Sequence, residues 1–220
     1  MHPDTYARHA LAARLVGDAD SVLDVGGLRG GLGRFLPQSR VVVANVEPPA
    51  DVVFDGRRLP FADSSFAAAT SLDVLEHLPR EDRAAHVAEL TRVARGRVVL
   101  ATPLGSEQHA EAERALAAWY EETTGAAHPR LAQHVAYGLP TGEELLELAD
   151  RAGLRGELFF HGDFRRVEGL FRLAARARRN PLARGRYAVQ RIATTPDVTL
   201  TRVPAPHTNR AFLVAEAREG

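Results

Sequence analysis

The chain has 220 residues, 45% hydrophobic and 25% charged, a composition that suits one soluble α/β domain with a core of its own. No apolar run approaches the roughly 18 residues a membrane span requires. Its 28 basic and 28 acidic residues cancel, so no global field draws it to nucleic acid or acidic lipid, and the absence of cysteine excludes disulfides, thiolate metal sites and a cysteine nucleophile. The first residues lack the basic-then-apolar layout of a signal peptide, so the expected address is cytoplasmic. All the basic residues apart from histidine are arginine. Spread evenly along an alanine-rich chain, that bias reads as composition rather than selection for a ligand.

Taken in order, the pattern alternates helix and strand, which predicts a largely parallel sheet with helices on both faces. A helix is expected from Asp4 to Val16, ending at Gly17. Ser21–Val25 reads as a buried strand that breaks into a glycine-rich turn, Gly26 to Gly33, and opens a helix. Strands are expected at Arg40–Val46, Asp51–Phe54, Phe66–Leu72 and Arg97–Ala101. Between the last two, Pro79-Arg80-Glu81-Asp82 starts a helix with acids that suit its dipole, and Val87, Leu90 and Ala94 follow at helical spacing. Another helix is expected over Ser106–Glu122, with Ala112, Ala115, Leu116, Trp119 and Tyr120 on one face. Thr141 to Glu144 has the spacing of a capping box, and Gly153 closes the helix it begins.

The last two strands are expected at Leu154–His161 and Arg210–Arg218. The roughly 50 residues between them are too many for a structureless loop. Within that stretch, Asp163 to Ile192 carries nine arginines against two acids. Phe164, Val167, Leu170, Phe171 and Ala174 form an apolar face at helical spacing, Arg165, Arg172, Arg176 and Arg179 the opposite one, and Asn180-Pro181 ends the helix. The plain reading is a packed helix with a solvated basic face; the alternatives are a lid over an anionic acceptor or contact with a membrane surface through 163–192. Nucleic acid is not favoured, because aromatics do not interleave with the basic positions.

Four short segments carry the chemistry. In Val22-Leu23-Asp24-Val25-Gly26-Gly27-Leu28-Arg29-Gly30, a strand ending in glycines lets backbone N–H groups approach a ligand, and Asp24 suits a cationic amine better than a pyrophosphate. Asn45-Val46-Glu47 stands at the end of the second strand. Phe54-Asp55-Gly56-Arg57-Arg58-Leu59-Pro60-Phe61 and Ser71-Leu72-Asp73-Val74-Leu75-Glu76-His77-Leu78 follow in order.

Together these segments, over about residues 20 to 102, resemble the class I S-adenosylmethionine-dependent methyltransferase family, especially its small-molecule branch. The resemblance implies a Rossmann-like fold with a mostly parallel seven-stranded sheet, an antiparallel last strand and a helical insertion before it. It also implies S-adenosylmethionine as cofactor. The family's D-x-G-x-G-x-G motif matches Asp24, Gly26 and Gly30 and is broken at Leu28, and Gly27 belongs to the same turn. The position that receives the ribose hydroxyls falls on Asn45, with Val46 beside it and Glu47 as the alternative acid. Asp55 and Gly56 would meet adenine, and Leu72 and Asp73 the methionine portion.

Methyl transfer needs alignment above all, and a base only where the nucleophile must lose a proton. Histidine suits that task near neutral pH. His77 and His134 are the catalytic candidates, the latter in Gln133-His134-Val135-Ala136-Tyr137-Gly138-Leu139-Pro140, which resembles a segment of some family members. Tyr6, His109 and Tyr137 are candidates for the acceptor pocket, with Arg8 and His9 nearby. Glu76 and His77 are adjacent, and no second pair at regular ligand spacing accompanies them, so no metal is expected.

One domain over 1–220 is expected: an N-terminal helix (1–19), a cofactor half (20–102), a substrate-side half (103–162), the basic insertion (163–209) and the last strand (210–220). The function that follows is methyl transfer to a small-molecule acceptor at oxygen. The alternatives are a binding or scaffold protein that keeps the fold, or a nucleic-acid methyltransferase using the basic insertion. Acceptor identity and oligomeric state are not written in the sequence.

Overall fold

The structure is a computed structural model that describes residues 1–178 and 180–217. Arg179 and Arg218, which the sequence places on the basic face and in the last strand, lie outside the described residues. Seven strands form one sheet in the order β3-β2-β1-β4-β5-β7-β6. They are β1 (Ser21–Val25), β2 (Arg40–Asn45), β3 (Val52–Val53), β4 (Phe66–Leu72), β5 (Ala94–Pro103), β6 (Leu154–Asp163) and β7 (Thr208–Ala217). The pairs among β1 to β5 are parallel, and β7 runs antiparallel to both β5 and β6. Chain order reverses direction between β1 and β4, the switch point where open α/β sheets bind ligands.

Helix α1 (Pro3–Val16) starts with Pro3 in its first turn and His2 accepting from the Asp4 N–H, and stops at Gly17, whose φ is +70°. It buries Leu11, Ala12 and Val16 against Val22, Leu32, Ala68, Val99 and Phe212 on one face of the sheet. On the other face, α2 (Arg80–Val93) and α5 (Gly142–Arg151) bury Val87, Leu90, Leu145 and Leu148 against Leu23, Ala69, Leu100 and Leu213.

Three local expectations are corrected. No α-helix follows the glycine turn: only one 3-10 turn forms, at Leu32–Phe35. Four glycines between positions 27 and 33 each cost a helix about 1 kcal/mol, and α1 covers that face instead. Ala94 does not extend α2; it is the first residue of β5, opposite Phe66. At the start of α5, the Thr141 hydroxyl accepts from the Glu144 N–H at 3.1 Å, but the Glu144 carboxylate turns away to Arg83 and leaves the capping box half made.

The remaining helices cap one end of the sheet. They are α3 (Glu107–Thr124), α4 (Pro129–Tyr137), α6 (Phe164–Ala177) and α7 (Pro181–Ala193). The stretch read from sequence as a connection around His134 is therefore a helix, α4, with His128 as its N-cap. On α3, Leu116 is buried but Ala115 is exposed, so the apolar face is narrower than the spacing predicts. The arginines of α6 are not simply solvated. Arg172 bonds Glu168 at 2.8 Å and lies over the Trp119 ring at 4.5 Å, with Arg176 above the same ring at 5.4 Å. No described helix is long and apolar enough to cross a membrane.

Candidate active site

A cleft of about 1070 Å³ opens over the strand ends at the switch point and runs under the helical cap. That exceeds the usual volume of a single small-ligand pocket, roughly 300–1,000 Å³, and leaves room for two molecules.

At one end, the chain leaves β1 and turns sharply at Gly26, with φ +78° and its N–H bonded to the Ala44 carbonyl. A Cβ on Gly26 would sit 2.3 Å from a Val74 methyl, and one on Gly27 only 2.0 Å from Asp24 Oδ2, so both positions demand glycine. Asp24 is 1% exposed. Its Oδ1 accepts from the Thr70 hydroxyl at 2.9 Å, and Oδ2 is buried without a hydrogen-bond partner among the described residues. Burial pushes its carboxyl up to about 6, with the Thr70 bond pulling the other way. Leu28, where the family motif has glycine, is 57% exposed and outside the positive-φ region, so a side chain costs nothing there.

The residues expected to hold ribose separate clearly. The Asn45 amide donates to the carbonyls of Gly26 and Gly27, at 3.2 and 2.8 Å, while its oxygen accepts from the Val46 N–H at 2.7 Å. Its side chain is spent on shaping the turn. Glu47 and Val46 stand exposed on the rim of the cleft. Asp55 is not among the lining residues, although Phe54 and Gly56 beside it are; its carboxylate accepts from the N–H groups of Arg57 and Arg58 in an Asx turn, which holds it below the usual carboxylate range.

Leu72 and Asp73 lie where the cleft crosses the end of β4. Asp73 adopts φ +57° and is gripped by two arginines: Arg210 of β7 at 2.7 and 3.1 Å, and Arg8 of α1. Although burial opposes its charge, Arg210 and Arg8 prevail and hold its carboxyl far below the usual range. Arg210, 3% exposed, also binds Asp4, so one guanidinium joins α1, the end of β4 and β7. The Nε of Arg8 remains buried and without a partner among the described residues, on the cleft wall.

At the other end, the loop after β4 carries Glu76 and His77, and α4 carries His134. The two imidazole centroids are 4.8 Å apart. Burial and the neighbouring His134 push His77 down to about 4. Burial also works against the charged form of His134, but the Nδ1 bond to Glu113 at 3.0 Å outweighs it and raises the ring above the ordinary histidine range. Glu76 is 1% exposed, accepts from the Thr102 hydroxyl at 3.1 Å, and is pushed up to about 7 by burial and then by Asp73. His109 stacks on Phe164 at 4.5 Å and bonds the Leu104 carbonyl. Leu116, Leu131, Phe164, Val167 and Phe171 complete this part of the wall, so α6 forms one side of the cleft.

Tyr6 and Tyr137, expected in the acceptor pocket, do not line the cleft. Tyr6 packs edge-on against Phe35 at 5.1 Å, and Tyr137 contributes its carbonyl to Arg83 and Arg80. Sequence reasoning missed Arg83, Glu113 and Arg210. Arg83 is fully buried and reaches the carbonyls of Leu75, Leu78, Tyr137 and Gly138 as well as Glu144 at 2.7 Å. It straps α4, with His134, to the loop that carries His77. No spacing rule marks such a residue, since its partners are mostly backbone carbonyls 5 to 55 positions away.

Residues 35–101 match the family model described as a methyltransferase domain. The sheet order and the cleft at its switch point agree with that match. Over that segment the chain matches this family, and its fold is the one seen in solved class I methyltransferases. No curated protein matches it in sequence. Among solved structures, it is similar to an S-adenosylmethionine-dependent methyltransferase from Thermotoga maritima, with 12% identity and a TM-score of 0.58, covering 97% of this chain and 91% of the other. It is also similar to magnesium protoporphyrin IX methyltransferase from Synechocystis, with 14% identity, a TM-score of 0.52 and coverage of 98% and 84%. The third is 1,6-didemethyltoxoflavin-N1-methyltransferase from Burkholderia thailandensis, with 19% identity, a TM-score of 0.52 and coverage of 98% and 80%. At these identities the likeness is one of fold. The chain differs from the motif it resembles in its glycine turn, which runs into a single 3-10 turn, and in Asn45, which braces that turn.

Proposed function

We propose that the protein transfers the methyl group of S-adenosylmethionine to an oxygen of a small, largely apolar acceptor. The observation that carries this reading is one cleft that joins an unpaired buried carboxylate at a glycine turn to a carboxylate–imidazole cluster beside an apolar wall. Asp24 Oδ2 is the acceptor that a cofactor ammonium would complete, and the free Nε of Arg8 is a donor for its carboxylate. Glu47 takes the ribose hydroxyls, because the Asn45 amide is already engaged. Val46, Phe54 and Gly56 frame the adenine without the Asp55 side chain, and Leu72 and Asp73 flank the methionine portion.

In the reaction the acceptor oxygen bonds the methyl carbon as the carbon–sulfur bond breaks, and sulfur leaves as the neutral thioether of S-adenosylhomocysteine. The hydroxyl proton leaves the acceptor in the same event or before it, taken up by His77 or His134 or passed to water. The enzyme's share is alignment of oxygen, carbon and sulfur and exclusion of competing water. His77 and His134 are the groups that meet the acceptor hydroxyl, and Phe164, Val167 and Phe171 hold its apolar body.

Calorimetry with S-adenosylmethionine and S-adenosylhomocysteine, followed by transfer of labelled methyl to a panel of phenols and aromatic amines, tests this. Binding of both cofactor forms and labelling of phenols are expected. No binding of either at millimolar concentration would end the enzyme reading, and labelling of amines alone would move the acceptor from oxygen to nitrogen.

A further inference from the structure

Glu76, His77 and His134 come from two separate elements, yet each offers a donor atom within 4.8 Å of the other two. No other trio of histidine, aspartate or glutamate gathers this way among the described residues. Each is held from behind. Glu113 accepts from His134 Nδ1 at 3.0 Å, the Thr102 hydroxyl donates to Glu76 Oε2 at 3.1 Å, and Gln133 hydrogen-bonds His77. A carboxylate behind a histidine fixes the tautomer with the proton on Nδ1, so the lone pair of His134 is on Nε2. That nitrogen and His77 Nδ1 are both buried and without a partner among the described residues. Two orphaned imidazole nitrogens beside a buried carboxylate, each donor braced by its own neighbour, are the layout of a metal site with its supporting hydrogen bonds.

We infer that Glu76, His77 and His134 form a binding site for a divalent transition-metal ion, open on its remaining positions to the acceptor end of the cleft. Two imidazoles and one carboxylate favour manganese, iron, cobalt or zinc over magnesium or calcium, which prefer oxygen ligands throughout. Bonds of roughly 2.0–2.2 Å place neighbouring donors about 2.8–3.6 Å apart, so binding draws donor atoms that now lie within 4.8 Å of one another closer together. The open positions suit an oxygen donor: water at rest, and the acceptor hydroxyl or a pair of adjacent oxygens during turnover. Binding of the ion stands on these three residues alone. The acceptor role rests on the proposed methyl transfer, in which the two histidines then meet the hydroxyl through the ion.

The test uses tag-free protein stripped with a chelator and titrated with cobalt(II), followed by its visible absorption and by calorimetry. One ion per chain is expected, with the bands of a nitrogen- and oxygen-ligated site. His134→Ala should weaken binding at least about 100-fold, and Glu113→Gln about 10-fold, the usual range for a residue behind a ligand. S-adenosylhomocysteine affinity, which reports the cofactor end, should stay within about twofold in both variants. A wild-type protein that takes up no cobalt at millimolar concentration overturns the inference, as does uptake that His134→Ala leaves unchanged in a variant that still binds S-adenosylhomocysteine. If cobalt binds at this site but S-adenosylhomocysteine does not, the metal site stands and the methyltransferase reading fails.

Discussion

At the cofactor end of the cleft, the ligand-facing groups sit on strand ends and one tight turn, pinned by parallel pairing of β1 with β2 and β4. At the acceptor end they ride on the loop after β4 and on α3, α4 and α6, a loop and three helices joined by side-chain contacts. The first end is backbone geometry with one carboxylate added; the second is side-chain geometry that depends on Arg83 and Glu113. A site of the first kind is rigid by construction. One of the second kind is only as firm as its buried polar contacts, and can change its acceptor with few substitutions.

The sharpest way to break that contrast is Arg83→Met. Removing a buried charge from its partners costs about 3–5 kcal/mol, read from denaturant unfolding. Where the variant still folds, it should lose acceptor turnover while keeping cofactor affinity; equal loss at both ends would show that they are one unit.

Asp24→Asn probes the opposite end. Its lost charge-assisted contact is worth about 1.5–3 kcal/mol, or roughly 10–100-fold in S-adenosylmethionine affinity by calorimetry. The ligand-free variant should be more stable than wild type at pH 8, because no buried carboxylate has to ionise. The sign follows from burial. The unfolded carboxyl titrates near 3.8, while burial raises the folded one to about 6. The folded state therefore holds its proton more tightly, and stability falls as pH rises across that window, on the order of 3 kcal/mol in all. Cofactor affinity should rise through pH 6 as the carboxylate forms. Affinity that is flat across pH 5–7 would remove Asp24 from the ammonium site.

Smaller effects separate the remaining rim residues. Glu47→Gln should weaken S-adenosylhomocysteine binding by about 1 kcal/mol, whereas Asp55→Ala should leave it within about twofold and cost roughly 0.5–1 kcal/mol of stability through the lost turn. The reverse ranking by calorimetry would return Asp55 to the adenine site and make Glu47 a bystander.

The sheet was legible because short apolar runs bounded by turn residues and alternating with helical patterns point to buried strands, and the limits of β1 and β4 follow from them. The burial of Asp24 was legible for a related reason: an acid inside such a run, just before glycines, lies within the sheet. Asn45 and Asp55 show the limit of register. They occupy the family's positions, but amides and short acids also brace turns, and only the fold reveals that each is engaged. The helix absent after Gly33 shows the limit of analogy, since local glycine content overrode it. Arg83, Glu113 and Arg210 were not legible at all. Their partners are distant in sequence, and among 28 arginines nothing singles out Arg83 and Arg210, the two that are buried among the described residues.

Arg210 also orders events during synthesis. It bonds Asp4 across 206 residues and Asp73 across 137, so the wall around the methionine end of the cleft cannot close on a growing chain until β7 has emerged. Until then the glycine turn can form and Arg8 can reach Asp73, but Asp4 lacks its partner on β7 and Asp73 has only one of its two arginines. Long-range contacts of this kind slow folding. A ribosome-bound chain halted before residue 210 would expose an open, acid-lined trough where the finished molecule has a cofactor seat.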